Sequence, residues 1–103
     1  MSISENLRAK AAEVTERELI VELEDGTRHS APIALFPILA DATPEELRSY
    51  ECIGDGRGLY WPDLDEHVSV LSIVHPEKTT PMRAEMVQRH LARNRERRAR
   101  RTG

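Results

Sequence analysis

From Leu19 to Leu23 the chain alternates: Leu19, Val21 and Leu23 fall on one side, Ile20, Glu22 and Glu24 on the other. That is the period of a half-buried strand. Asp25-Gly26 follows, a dipeptide suited to a type I′ hairpin turn because both central positions need positive φ. A return strand is expected from Thr27 to Ala31, stopping at Pro32, which has no N–H to give to a ladder. The segment before this hairpin has a different period. Ile3, Leu7, Ala11 and Val14 are spaced by four, four and three, which predicts an amphipathic helix over 3–14 with Ser2 and Glu5 as a capping box.

Residues 33–39, Ile-Ala-Leu-Phe-Pro-Ile-Leu, are apolar apart from the break at Pro37 and predict a buried short helix or turn under the sheet. Thr43-Pro44-Glu45-Glu46-Leu47 then starts a helix: Thr43 is the N-cap, Pro44 fits the first turn, Glu46 closes the capping box and Ala42 staples against Leu47. This helix ends near Tyr50. Cys52-Ile53 and Leu59-Tyr60-Trp61 flank the turn Gly54-Asp55-Gly56-Arg57-Gly58 and predict a second hairpin, ended by Pro62. Val68, Val70, Leu71, Ile73 and Val74 form a last apolar segment, strand or short helix, before Pro76. Thr80-Pro81 then caps a helix through Met82, Met86, Val87 and Leu91. Past Leu91 only Ala92 and Ala99 are apolar, so residues 93–101 have almost nothing to bury and are expected to be solvated or disordered.

With 103 residues this is one α+β unit, a small antiparallel sheet of two hairpins with short helices, followed by a C-terminal arginine-rich helix. Aromatics are 4% of the chain, so its core is built from Leu, Ile, Val and Ala. The single Cys52 excludes an intrachain disulfide and argues against a cysteine zinc site. No apolar run approaches the ~20 residues of a membrane span, and the N-terminus lacks a secretion signal. A soluble cytoplasmic protein is expected. Charge divides the chain more sharply than hydropathy does. Residues 1–76 carry six Arg/Lys against fifteen Asp/Glu, a net −9, whereas residues 77–103 carry nine against three, a net +6. An acidic body over 1–76 is thus followed by a basic extension over 77–103, a division that bears on partners.

Several of these features occur together in one known family. Asp25-Gly26, Pro32, Phe36-Pro37, Ala42-Thr43-Pro44-Glu45, Gly54-Asp55-Gly56, Gly58, Trp61-Pro62-Asp63-Leu64-Asp65-Glu66 and Ser69-Val70 stand in the order and spacing of that signature. Over roughly residues 15–74 the chain resembles the bacterial domain of unknown function 2442 (DUF2442). The resemblance implies a small α+β domain with an antiparallel sheet and short helices. Genes of the family often lie beside those of other small proteins, which implies an antitoxin-like pairing. Some members add a C-terminal helix-turn-helix; residues 77–103 have room for one long helix only, so that activity is not carried over.

The candidate sites are few. The 54–58 turn lacks the Lys-Ser/Thr of a phosphate loop and joins two strands, so it reads as structural. Trp61 reads as a core anchor and Cys52 as inert packing. The four His show no metal-ligand spacing, and no nucleophile–base arrangement is present. Catalytic, cofactor and metal sites are therefore expected to be absent. Asp63, Asp65 and Glu66 form the densest acidic cluster, read as a docking patch for a basic protein partner; a metal-dependent enzyme centred on 63–67 is the remote alternative. The strongest functional signal is the tail: Arg89, Arg93, Arg95, Arg97, Arg98, Arg100 and Arg101, a residue type suited to phosphate contacts. Arg95-Glu96-Arg97-Arg98-Ala99 is similar to arginine-rich RNA-binding peptides of phage antiterminator N proteins. The expected function is a non-enzymatic interaction module, antitoxin-like or regulatory, with an acidic protein-binding body and a tail that engages nucleic acid. The alternative is a protein-only adaptor whose basic tail packs on an acidic surface, its own or another chain's.

Overall fold

The computed structural model describes residues 7–102. Two three-stranded antiparallel meanders form the body. The first runs β1 (Ala9–Val14), β2 (Glu18–Leu23) and β3 (Arg28–Pro32); the second runs β4 (Glu51–Ile53), β5 (Gly58–Trp61) and β6 (Glu66–Ser69). Between them lie a 3-10 turn Ile33–Leu35 and the short helices α1 (Pro37–Ala40) and α2 (Pro44–Arg48). Helix α3 (Val70–Val74) follows β6, and α4 (Ala84–Thr102) closes the chain. The α+β architecture is as expected, with one more strand in each sheet than the hairpins predict.

The extra strand in the first sheet is β1, where a helix was expected. Its inward positions are Ala9, Ala12 and Val14, which pair with the buried Leu23, Val21 and Leu19 of β2. A bulge between Ala9 and Ala11 stretches the first inward spacing from two to three. Ala11 and Val14, which share a face in the expected helix, lie on opposite faces of the strand, and the strand gains what the helix could not: Ala12 and Val14 pack against the core beside the buried Ala9. The expected cap at Ser2 and Glu5 lies outside the described residues.

The β2–β3 turn also differs from expectation. Leu23 N donates to Thr27 O at 2.8 Å and Gly26 N to Leu23 O at 2.9 Å, which closes a three-residue loop. Only Gly26 takes positive φ, +89°. Asp25 instead uses its carboxylate, accepting from Thr27 N at 2.9 Å and Thr27 Oγ1 at 2.7 Å. A bond to the backbone two residues on sets the turn without a left-handed aspartate. The two consecutive positive φ values that a type I′ turn needs occur in the other hairpin, at Gly54 (+59°) and Asp55 (+58°), where Gly56 N donates to Ile53 O at 3.1 Å.

Gly56 joins the sheets. Ala9 N donates to Gly56 O at 2.6 Å, and a Cβ on Gly56 would lie 3.0 Å from Ala9 O. A second tie is Tyr50, whose hydroxyl accepts from Ala12 N at 3.0 Å. Trp61 is fully buried, its indole N–H donates to Leu47 O at 3.1 Å, and its ring centroid lies 6.1 Å from that of Tyr50. It is the expected core anchor, with its polar handle satisfied. Around it one core gathers Leu19, Val21, Leu59, Leu64, Val70 and Ile73, with Ile38 and Leu39 supplied by α1. The 68–74 apolar segment is both alternatives in sequence: the end of strand β6, then α3 capped by Ser69, whose Oγ accepts from Ser72 N at 3.2 Å.

Cys52 is exposed rather than packed, because β4 is a three-residue edge strand with its first two side chains facing solvent. The last helix begins at Ala84, not at Thr80-Pro81. Met82 is 41% exposed, so extending the helix back through it gains no burial. Among the described residues no helix is long and apolar enough to cross a membrane.

Candidate partner-binding site

Helix α4 is held at two levels. At its N-terminal end Val87 and Leu91 enter the core, and His90, 6% exposed, places Nε2 2.6 Å from Leu64 O. A carbonyl only accepts, so Nε2 carries the proton. Past Leu91 the same face turns polar. Asn94 is 1% exposed, and its Oδ1 accepts from Arg97 Nη2 at 2.7 Å. Arg98 and Arg101 follow at spacings of four and three, so the seam 87–91–94–98–101 continues along one side of the helix.

That seam ends on Glu46, whose side chain is 3% exposed. Arg98 donates to it from Nε at 3.2 Å and Nη2 at 2.8 Å, and Arg101 Nη2 donates at 2.6 Å. Glu46 is also the capping-box residue of α2: its Oε1 accepts from Thr43 N at 2.9 Å while its own N donates to Thr43 Oγ1 at 3.3 Å. One carboxylate thus starts α2 and clamps α4. Burial works against its charge, but the bonds from Arg98, Thr43 N and Arg101 outweigh it and hold its pKa at about 2. The same contact raises the pKa of Arg98. Asp41 adds a flank, bonded to Arg95 Nη2 at 2.9 Å and 3.7 Å from Arg98 Nη1.

Of the acids singled out in sequence, one reaches this clamp. Asp63 is 3.8 Å from Arg101 Nη1. Glu66 is half-buried next to His90; burial pushes its carboxyl up, opposed by the charge of His90 and a bond from the His67 backbone. Asp65 stands in a left-handed turn (φ +51°) and accepts from the Tyr60 hydroxyl at 3.4 Å. Among the described residues no group of three or more His, Cys, Asp or Glu is placed to hold a metal ion.

The seven tail arginines therefore separate into two sets. Arg95, Arg98 and Arg101 meet Asp41, Glu46 and Asp63 of the body. Arg89, Arg93, Arg97 and Arg100 recur at four, four and three on a stripe roughly a third of a turn from the seam. Arg89, Arg93 and Arg100 are exposed and Arg97 is half-buried. Arg100 pairs with Glu96 one turn earlier, a solvent-exposed contact. Sequence reasoning missed Glu46 and Asp41 as partners of the tail, and it expected 93–101 to be solvated or disordered. The available signal was the 4-3-4-3 spacing, which runs from apolar Val87 and Leu91 into Asn94, Arg98 and Arg101 without a break.

The architecture defines a small two-sheet α+β domain to which an arginine-rich helix is clamped by buried acid. Residues 9–79 match the family described as protein of unknown function (DUF2442), and the chain belongs to that family. The match ends before α4. A crystal structure of a protein of unknown function from Rhodospirillum rubrum is similar, with 33% identity and a TM-score of 0.53 over 63% of this chain and 81% of that one. No curated protein matches the chain.

Proposed function

We propose that the chain is a non-enzymatic interaction module, antitoxin-like or regulatory in type, whose acidic body holds α4 in place so that its outer face meets a partner. The carrying observation is the clamp: Glu46 is almost fully buried and bonded to both Arg98 and Arg101. A clamped helix has already met most of its ordering cost, and a binding face on it is preorganised. On this reading Asp63 and Glu66 contribute to docking the chain's own basic helix, which leaves Asp65 as the freest of the three for another chain. The antitoxin-like label rests on the family resemblance.

The same clamp also favours the second reading, a protein-only adaptor whose basic tail packs on its own acidic surface. The two differ in what the outer arginines do. Affinity capture from cell extract with the full chain and with its R89Q/R93Q/R97Q/R100Q variant tests the primary reading, analysing protein and nucleic acid together. Partners recovered by the natural chain and lost by the variant support it. Equal recovery by both overturns it in favour of the adaptor.

A further inference from the structure

The outer stripe of α4 has a geometry of its own. Arg89 to Arg100 spans about 16 Å of helix axis at a rise of 1.5 Å per residue. One DNA strand presents a phosphate about every 3.4 Å of its axis, so about five phosphates pass that length. The arginines stand on one side, with Glu96 the acid nearest them on the helix. Its bond to Arg100 joins side chains 74% and 64% exposed, a contact readily exchanged for another anion. Gln88, Ala92 and Ala99 are exposed as well, so more than half the circumference of α4 is free of the body and its profile is narrow. A B-form major groove, about 12 Å wide, admits such a helix. The deep, narrow major groove of duplex RNA does not.

We propose that Arg89, Arg93, Arg97 and Arg100 form a docking face for the phosphate backbone of double-stranded DNA. This rests on α4 being the presenting element. Arg95, Arg98 and Arg101 are excluded from that face because the body uses them as anchors. The charge match names the occupant: a row of guanidinium groups meets a row of phosphates, with the bidentate fork exposed at Arg89, Arg93 and Arg100, while half-buried Arg97 keeps Nη2 on Asn94 Oδ1 and offers its remaining N–H groups. Exposed Gln88 lies on the free arc and can reach base edges.

The test is fluorescence anisotropy of the full chain with a labelled 20-base-pair DNA duplex, the same sequence as an RNA duplex, and the single DNA strand. Four phosphate contacts predict a loss of about 100-fold in duplex DNA affinity between 50 and 200 mM salt. R89Q/R93Q/R97Q/R100Q should lose at least about tenfold at low salt with an unchanged far-UV circular dichroism spectrum, while Arg95→Gln should stay within about threefold. Equal binding by the quadruple variant overturns the proposal, as does tighter binding of duplex RNA or no DNA binding by the natural chain. If the natural chain binds no nucleic acid yet captures an acidic protein through the stripe, this inference fails while the reading of α4 as presenting element stands.

Discussion

Replacing Glu46 by Gln tests the clamp most directly. Gln keeps nearly the same volume and can still close the capping box on Thr43, so α2 should survive. What it removes is the charge between Arg98 and Arg101, bonded at 2.8 and 2.6 Å. A carboxyl held at about 2 against its ordinary 4.5 corresponds to about 3 kcal/mol of folding free energy, at 1.36 kcal/mol per pKa unit. Arg98 retains Asp41 at 3.7 Å, which recovers part of this, so about 2–3 kcal/mol is expected at neutral pH. The sign follows from the direction of the shift. A depressed carboxyl stabilises above its unfolded pKa, and the contribution is lost as pH falls from 4.5 toward 2. Urea unfolding of both proteins at pH 7, 4 and 2.5 measures it, with the gap wide at pH 7 and shrinking steadily below 4.5. Equal stability at pH 7, or a gap unchanged at pH 2.5, would refute the assignment of the clamp to an ionised Glu46.

Two further substitutions probe the scaffold. Gly56→Ala should cost about 1–3 kcal/mol, since φ there is +84° and the new Cβ would meet Ala9 O at 3.0 Å; thermal unfolding reads this, and an unchanged midpoint would contradict the close approach of the two sheets. Thr43→Ala removes the side-chain acceptor for Glu46 N and should cost about 1 kcal/mol by urea denaturation. The bond from Thr43 N to the position-46 side chain survives in Thr43→Ala, so cap and clamp are separable and Thr43→Ala and Glu46→Gln should be nearly additive in a double-mutant cycle; a coupling above about 1 kcal/mol would contradict this.

Local chemistry was legible where neighbours in sequence are neighbours in space. The capping box at Thr43 and Glu46, the 54–58 turn, the end of β5 at Pro62 and the burial of Trp61 each follow from a few adjacent residues. The resemblance over 15–74 likewise falls within the 9–79 match. Where a strand carries a bulge, as between Ala9 and Ala11, its alternation is interrupted, and only pairing with β2 reveals which residues face the core. Cys52 shows the same limit on an edge, where apolar composition does not say which face is covered.

The charge division between body and tail was fixed by the sequence alone, since counting residues requires no fold. What that division does was decided by tertiary structure. Arg98 and Arg101 lie 52 and 55 positions from Glu46, too far for any local pattern to pair them. Once α1, α2 and the 62–64 turn gather Asp41, Glu46 and Asp63 on one side, a helix with no large apolar residue past Leu91 still finds a seam to enter. Buried carboxylate replaces buried hydrocarbon there, and that substitution sorts the arginines into anchors and an outward face.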